Sequence, residues 1–296
     1  MEQIGMIGLG NMGIGLAQNI IQSGFGLTGF DLRDERLKML EDLGGQAADS
    51  PKAVGEQSDA VFVMVLNGKQ VYEVVTGEDG LLQSMKPGST IIVSATIQPS
   101  EVRAIEEPIL AKGVHLMDTP VSGGKSGADS GTLTMMAAAP KAVFEANYEV
   151  LQAVGEEIFH VSEEIGIGQT VKAALQAFIG ASFTAIFESL VLGSKAGVKG
   201  ETLFKVFGAS GVSSPLFRNC AELIMDRKFK DTGSHIGTMY KDLSISMALA
   251  KENGVAMFTT SAAYELFQSG ISLFPEEDNW SIVKLLEQIA GTEVKW

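Results

Sequence analysis

The run "QIGMIGLGNMGIGLAQNI" (residues 3–20) decides how the first half of the chain is read. It opens as a short apolar segment and breaks into glycines at Gly8, Gly10 and Gly13. It then places Ile14, Ala17, Ile20 and Ile21 on one helical face, with Gly24 as the stop. A strand that turns through glycines directly into a helix is the first part of a strand–helix–strand unit. "GLTGFDL" (26–32) supplies the second strand, and "DERLKMLEDLGG" (34–45) a helix with its charges outward. "AVFVMVL" (60–66) and "STIIVSATI" (89–97) are continuous apolar and β-branched runs, as expected of strands covered on both faces. "PSEVRAIEEPILAKG" (99–113) reads as an intervening helix, and "HLMDTPV" (115–121) and "LTMMAAA" (133–139) as further strands. This alternation predicts an α/β fold with a mainly parallel, doubly wound sheet.

Beyond about residue 165 the pattern changes. Helical periodicities follow one another at 168–197, 201–209, 215–227, 237–253, 257–270 and 279–290, with no convincing strand. The chain therefore reads as two domains, 1–164 and an all-α 165–296, joined by a long helix; its 296 residues suit that division.

Bulk properties exclude several classes of function. The formal net charge of −14 argues against a nucleic-acid partner and against adhesion to anionic membrane. One cysteine, Cys220, allows no intrachain disulfide, and the three histidines are far apart in sequence, so no metal site is expected. The opening residues lack the basic segment of a signal peptide, and a cytoplasmic location is the default. Residues 173–194 are apolar for about the length of a membrane span. They contain Gln176, Thr184 and Glu188, however, which fits a buried or interface helix better.

The glycines now take on a function. Gly8-x-Gly10-x-x-Gly13, with Asn11 and Met12 between, lies between a strand and a helix, the context of a dinucleotide-binding fingerprint. Asp31 follows about twenty residues on, at the end of the second strand, where an acid accepts hydrogen bonds from the adenosine ribose. A carboxylate there repels a 2′-phosphate, so NAD is expected and NADP less so. Arg33 is close enough in sequence to complicate that preference. A second glycine-rich stretch, "DTPVSGGKSGADSGTLT" (118–134), lies between two strands and reads as an ordered loop whose Ser122, Gly123 and Gly124 bind an anion. Lys172 stands in the opening turns of the long helix among Val171, Ala173, Ala174 and Leu175. Apolar burial and the positive end of a helix both lower the basicity of a lysine, which makes Lys172 a candidate proton shuttle. A lysine snorkelling from a helix end is the plainer alternative.

Four stretches, "GLGNMG", "DTPVSGG", "GIGQTVKAALQ" and "YKDLSISMA", together resemble the β-hydroxyacid dehydrogenase family over nearly the whole chain. That resemblance implies an N-terminal Rossmann domain, a helical C-terminal domain and homodimers or homotetramers built on the helices. It implies NAD(P)-dependent oxidation of a small β-hydroxy or polyhydroxy carboxylic acid, with hydride passing to nicotinamide C4 and Lys172 as the catalytic base or acid. It further implies Ser122, Gly123 and Gly124 as the substrate-carboxylate loop, Thr96 at the nicotinamide ribose, and Lys241, paired with Asp242, over the nicotinamide and substrate. Gln176 stands where the family commonly has Asn, and orients the substrate; some L-threonate dehydrogenase-like members share the Gln. The stretch "MVLN" (64–67) replaces the usual Met-Leu-Pro; the resemblance implies Leu66 and Asn67 at the cofactor, with Asn67 on the adenosine side. Two rival readings are an imine reductase-like activity and a dinucleotide-binding sensor without turnover.

Overall fold

The computed structural model describes residues 3–296. Among the described residues nine strands form one sheet: β1 (Gln3–Ile7), β2 (Gly26–Phe30), β3 (Gln46–Ala47), β4 (Ala60–Val63), β5 (Thr90–Val93), β6 (His115–Asp118), β7 (Val121–Ser122), β8 (Leu133–Ala138) and β9 (Gly155–Ser162). Their spatial order is β3-β2-β1-β4-β5-β6-β8-β7, with β9 on the other edge of β8. From β3 to β6 every pairing is parallel; β8 runs antiparallel to β6 and β7, and β9 parallel to β8. Around the sheet lie α1 (Gly13–Gln22), α2 (Asp34–Asp42), α3 (Pro51–Gln57), α4 (Gly68–Thr76), α5 (Pro99–Ala104), α6 (Glu106–Ala111), α7 (Gly124–Ser130) and α8 (Lys141–Gln152).

Alternation along the strands explains why both faces need helices. Ile4, Met6, Phe62, Ile92 and Met117 enter one core with Leu16 and Ile20 of α1 and Val150 of α8. Their neighbours Ile7, Val61, Val63, Ile91, Val93 and Leu116 enter the other, with Val54, Val71, Val102 and Ile109 of α3 to α6. The expected doubly wound Rossmann sheet is thus present, and the order reverses between β1 and β4, where such sheets bind ligands.

The chain divides into two compact units, 1–172 and 173–296, and the division falls inside α9 (Ile167–Lys195). The second unit continues with α10 (Gly200–Ala209), α11 (Pro215–Met225), α12 (Ile236–Glu252), α13 (Phe258–Leu273) and α14 (Ile282–Ala290). Phe183, Phe187 and Leu190 of α9 pack there with Phe217, Leu243, Phe267 and Trp280, so the apolar length of α9 serves a protein core.

Three expectations need correction. The stretch 118–134, read as an ordered loop, is ordered but not a loop throughout: Val121–Ser122 pairs with β8, and Gly124–Ser130 is the helix α7. Glycine-rich composition concealed it, because α7 is held by docking rather than by propensity. Its neighbour α1 presents Gly15, where an added Cβ would lie 2.8 Å from the Ala128 carbonyl carbon. Asn19 Nδ2 of α1 donates to the Ala128 carbonyl at 2.7 Å and to the Gly15 carbonyl at 2.8 Å. Second, the helix expected over 99–113 is broken at Ile105, because Pro108 has no N–H to donate to the Ala104 carbonyl and its ring crowds that carbonyl. Third, β3, α3, α4, α8 and β9 add elements beyond those read from the sequence.

Asn19 is buried and ties the glycine-turn helix to α7. Asn19→Ala is expected to destabilise the protein by about 1–3 kcal/mol, since it leaves a buried carbonyl unpartnered. Urea unfolding of the two proteins measures it.

Candidate active site

At the carboxyl ends of β1 and β4 the backbone is tightly folded. Gly8 has φ +89°, and an added Cβ there would lie 2.4 Å from the Met64 carbonyl oxygen. A Cβ on Gly13 would lie 1.9 Å from the Gly8 carbonyl oxygen, so only glycine lets α1 begin this close to the turn. At Gly10, by contrast, a Cβ would point into open space, its nearest neighbour being Arg33 Nη2 at 3.9 Å. Two glycines thus close the turn and the third leaves its outer side bare, directly before a helix N-terminus, which is the cradle a dinucleotide pyrophosphate requires. Asn11 is exposed there, its Oδ1 accepting from Arg36 Nη2 at 3.3 Å, and Met12 is the residue before α1.

Asp31 directly follows β2, beside this turn. Its Oδ2 accepts from the Leu9 amide at 2.8 Å, and its Oδ1 from the Arg33 amide at 3.1 Å and from Arg33 Nε at 3.0 Å. Partial burial raises the Asp31 carboxyl, but the hydrogen bonds from Arg33 and Leu9 outweigh it and hold the group below the ordinary carboxylate range. Leu66 and Asn67 follow β4 on the same edge. Leu66 is exposed, while the Asn67 side chain accepts from the Gln70 amide at 2.9 Å and caps α4.

A second cluster lies at the ends of β5 and β6. Asp118, the last residue of β6, is fully buried, and its Oδ2 accepts from the amides of Gly166 at 3.1 Å and Gln169 at 3.0 Å. It thus caps α9 from a strand distant in sequence. The Gln169 side chain, also fully buried, donates through Nε2 to Asp118 Oδ1 and to the Ala95 carbonyl, each at 2.9 Å. Its Oε1 accepts from the Ile97 amide at 3.1 Å. These two backbone bonds bracket Thr96. One turn further along α9 is Lys172, only 6% exposed. Ser122 ends β7 and pairs with Thr134, and Gly123, at φ +128°, turns the chain into α7, whose first residue is Gly124. Burial pushes the Asp118 carboxyl from the ordinary 3.8 up to about 6, opposed by the hydrogen bonds from Gln169 and Gly166.

Within the helical unit, Gln176 is buried and donates through Nε2 to Asp242 Oδ2 at 2.5 Å. Lys241 Nζ lies 2.9 Å from Asp242 Oδ1, and Ser246 Oγ donates to the Ala173 carbonyl at 2.7 Å. The Lys241–Asp242 pair is therefore more than a surface ion pair, since its carboxylate is buried and also holds Gln176. Among the described residues, no group of three or more His, Cys, Asp or Glu side chains is placed to hold a metal ion.

The sequence reading passed over Asp118 and Gln169. A carboxylate at the end of an apolar strand was the available signal; its partner is 51 positions away and leaves no local trace.

Comparison with known proteins agrees with this geometry. Residues 3–162 match the family model for the NAD binding domain of 6-phosphogluconate dehydrogenase. Residues 166–286 match that for the NAD-binding domain of NADP-dependent 3-hydroxyisobutyrate dehydrogenase. The 2-(hydroxymethyl)glutarate dehydrogenase of Eubacterium barkeri is 33% identical, over 99% of this chain and 97% of its own. The L-threonate dehydrogenase of Cupriavidus necator is 31% identical, over 97% of each. A crystal structure of 3-hydroxyisobutyrate dehydrogenase from Salmonella typhimurium superposes with a TM-score of 0.88 at 30% identity, covering 96% of this chain and all of that one. Fold, glycine turn and relatives define an NAD(P)-dependent oxidoreductase of small hydroxy acids. The chain belongs to the β-hydroxyacid dehydrogenase family.

Because burial raises the Asp118 carboxyl, its contribution to stability is fully present below about pH 4 and is lost as pH rises through about 6. Asp118→Asn removes this dependence. Melting temperatures from pH 4 to 8 are expected to show the wild type losing ground to the variant between those values, by on the order of 3 kcal/mol, with a constant gap above.

Proposed function

We propose that the protein oxidises a small β-hydroxy or polyhydroxy carboxylic acid, or reduces the matching semialdehyde or keto acid, with Lys172 moving the proton. The observation that carries this reading is a single lysine, 6% exposed, one turn into a helix whose start is fixed to the ends of β5 and β6. In the proposed arrangement residues 1–164 bind the dinucleotide and residues 165–296 serve substrate recognition and assembly. Gly8, Gly10, Asn11, Met12 and Gly13 hold the pyrophosphate, and Asp31 the ribose. Leu66 and Asn67 flank the adenosine side. Bound NAD supplies the hydride acceptor, nicotinamide C4, and Thr96 stands at its ribose. Ser122, Gly123 and Gly124 hold the substrate carboxylate. Gln176, four residues after Lys172 on α9, orients the substrate hydroxyls, and Lys241 contacts both the nicotinamide and the substrate side. As the carbinol carbon loses hydride, the Lys172 amine takes the hydroxyl proton; in the reverse direction its ammonium returns it.

The relatives named for 2-(hydroxymethyl)glutarate and L-threonate favour an acid with a second polar group beyond the reacting carbinol. NAD is favoured over NADP because the Asp31 carboxylate occupies the ribose side, and the nearby Arg33 guanidinium is already engaged by it. Exposed Phe178 and Leu192 on α9, with Phe258, favour a homodimer or homotetramer through the helical unit. The single cysteine favours a cytoplasmic location.

Lys172→Ala is expected to lower turnover of 2-(hydroxymethyl)glutarate or L-threonate at least ~100-fold while NAD still binds. Wild-type turnover in that variant would refute the assignment. Titration of NAD against NADP tests the cofactor preference. The wild type is expected to bind NAD more tightly, and Asp31→Ala to narrow the ratio; tighter NADP binding by the wild type would overturn it.

A further inference from the structure

We propose that Gln169 and Asp118 are a positioning pair that sets Lys172 against the segment carrying Thr96 and the segment leading to Ser122. The proposal rests on the assignment of proton transfer to Lys172.

The hydrogen bonds of Gln169 are unusually complete. Its backbone N–H donates to Asp118 Oδ2, its Nε2 to Asp118 Oδ1 and the Ala95 carbonyl, and its Oε1 accepts from Ile97. One side chain therefore ties three segments that are distant in sequence: the end of β5 on either side of Thr96, the end of β6 four residues before Ser122, and the first turn of α9. Lys172 follows Gln169 by three residues, so its backbone lies about one turn from the clamp. A shift of the first turn along the sheet would carry Lys172 with it.

Stability alone does not account for this choice of residues. Burying a carboxylate and an amide carries a desolvation cost, and well-packed apolar residues often serve stability as well or better. A local Ser or Thr at the start of α9 would satisfy its free N–H groups equally well. What the pair adds is a single register: amide and carboxylate each have directional partners, and a helix displaced by a fraction of a turn would leave several of them buried and unpaired. Misplacing a catalytic group by about 1 Å costs on the order of 100-fold in rate. Neither residue is assigned a contact with the substrate, so both act through Lys172 and Thr96.

The test compares Gln169→Met, which keeps length and removes the hydrogen bonds, with the double swap Asp118→Asn, Gln169→Glu and its two single variants. The double swap exchanges the amide and the carboxylate. The readouts are kcat and KM with L-threonate or 2-(hydroxymethyl)glutarate, whichever the wild type turns over, together with the NAD Kd and the melting temperature. Gln169→Met is expected to lower kcat about 10- to 100-fold while KM and the NAD Kd stay within about 3-fold. The double swap is expected to recover at least about 10-fold in kcat over the poorer single variant, because the carboxylate at 169 again faces a donor at 118 and still accepts from the Ile97 amide, the bond to the Ala95 carbonyl being lost in Gln169→Glu and the double swap alike. Wild-type kcat in a folded, NAD-binding Gln169→Met protein would overturn the proposal. A double swap no better than either single would also overturn it, and that comparison decides the matter if Gln169→Met does not fold. Lys172→Ala is the control. Wild-type turnover there would refute the proton-transfer assignment and this proposal with it, whereas loss of turnover there with normal Gln169→Met refutes the pair alone.

Discussion

The first turn of α9 has N–H groups that no residue within that helix can satisfy, and the structure satisfies them with a carboxylate from β6. Asp118 lies at the end of a strand, fully buried, and accepts from Gly166 and Gln169 across about fifty residues of sequence. That bond fixes where the longest helix starts relative to the sheet. Through Gln169 it also fixes the backbone around Thr96. The sheet order, the glycine turn and the helical unit build an enzyme of this family; this cap decides where its lysine stands.

A similar principle recurs within each of the two units. In the sheet unit, Asn19 ties the helix after the glycine turn to α7, whose N-terminal end carries Gly124. In the helical unit, Asp242 gathers Gln176 and Lys241, and Ser246 binds the Ala173 carbonyl of α9. Each of these buried polar side chains has a directional partner on another element, and that element carries a residue assigned to binding or catalysis. Apolar packing specifies the layers, while these hydrogen bonds specify the registers.

The layers were legible in the sequence because their signals are local. "AVFVMVL" and "STIIVSATI" are apolar runs of strand length, and the fingerprint at Gly8, Gly10 and Gly13 announces its own turn. The helices after residue 165 were legible through their periodicity, as was the burial of the long helix at Phe183 and Phe187. Helix α7 was hidden, because a glycine-rich segment has weak helix propensity and here depends on docking against Gly15 and Asn19. Strand β9 was hidden because its residues are largely half-exposed and show no apolar run. Within the site, Lys172 stood out as a cation among aliphatic neighbours. Asp118 and Gln169 did not, since a polar residue announces its role only through a partner, and theirs is remote in the chain.

In the proposed mechanism Lys172, held in this setting, moves the substrate proton. The most direct measurement is the pH dependence of kcat/KM for oxidation by the wild type and by Lys172→Ala. An acid-side limb is expected in the wild type, where the base becomes protonated, and is expected to be absent from the residual activity of the variant. The same limb persisting in Lys172→Ala would contradict it.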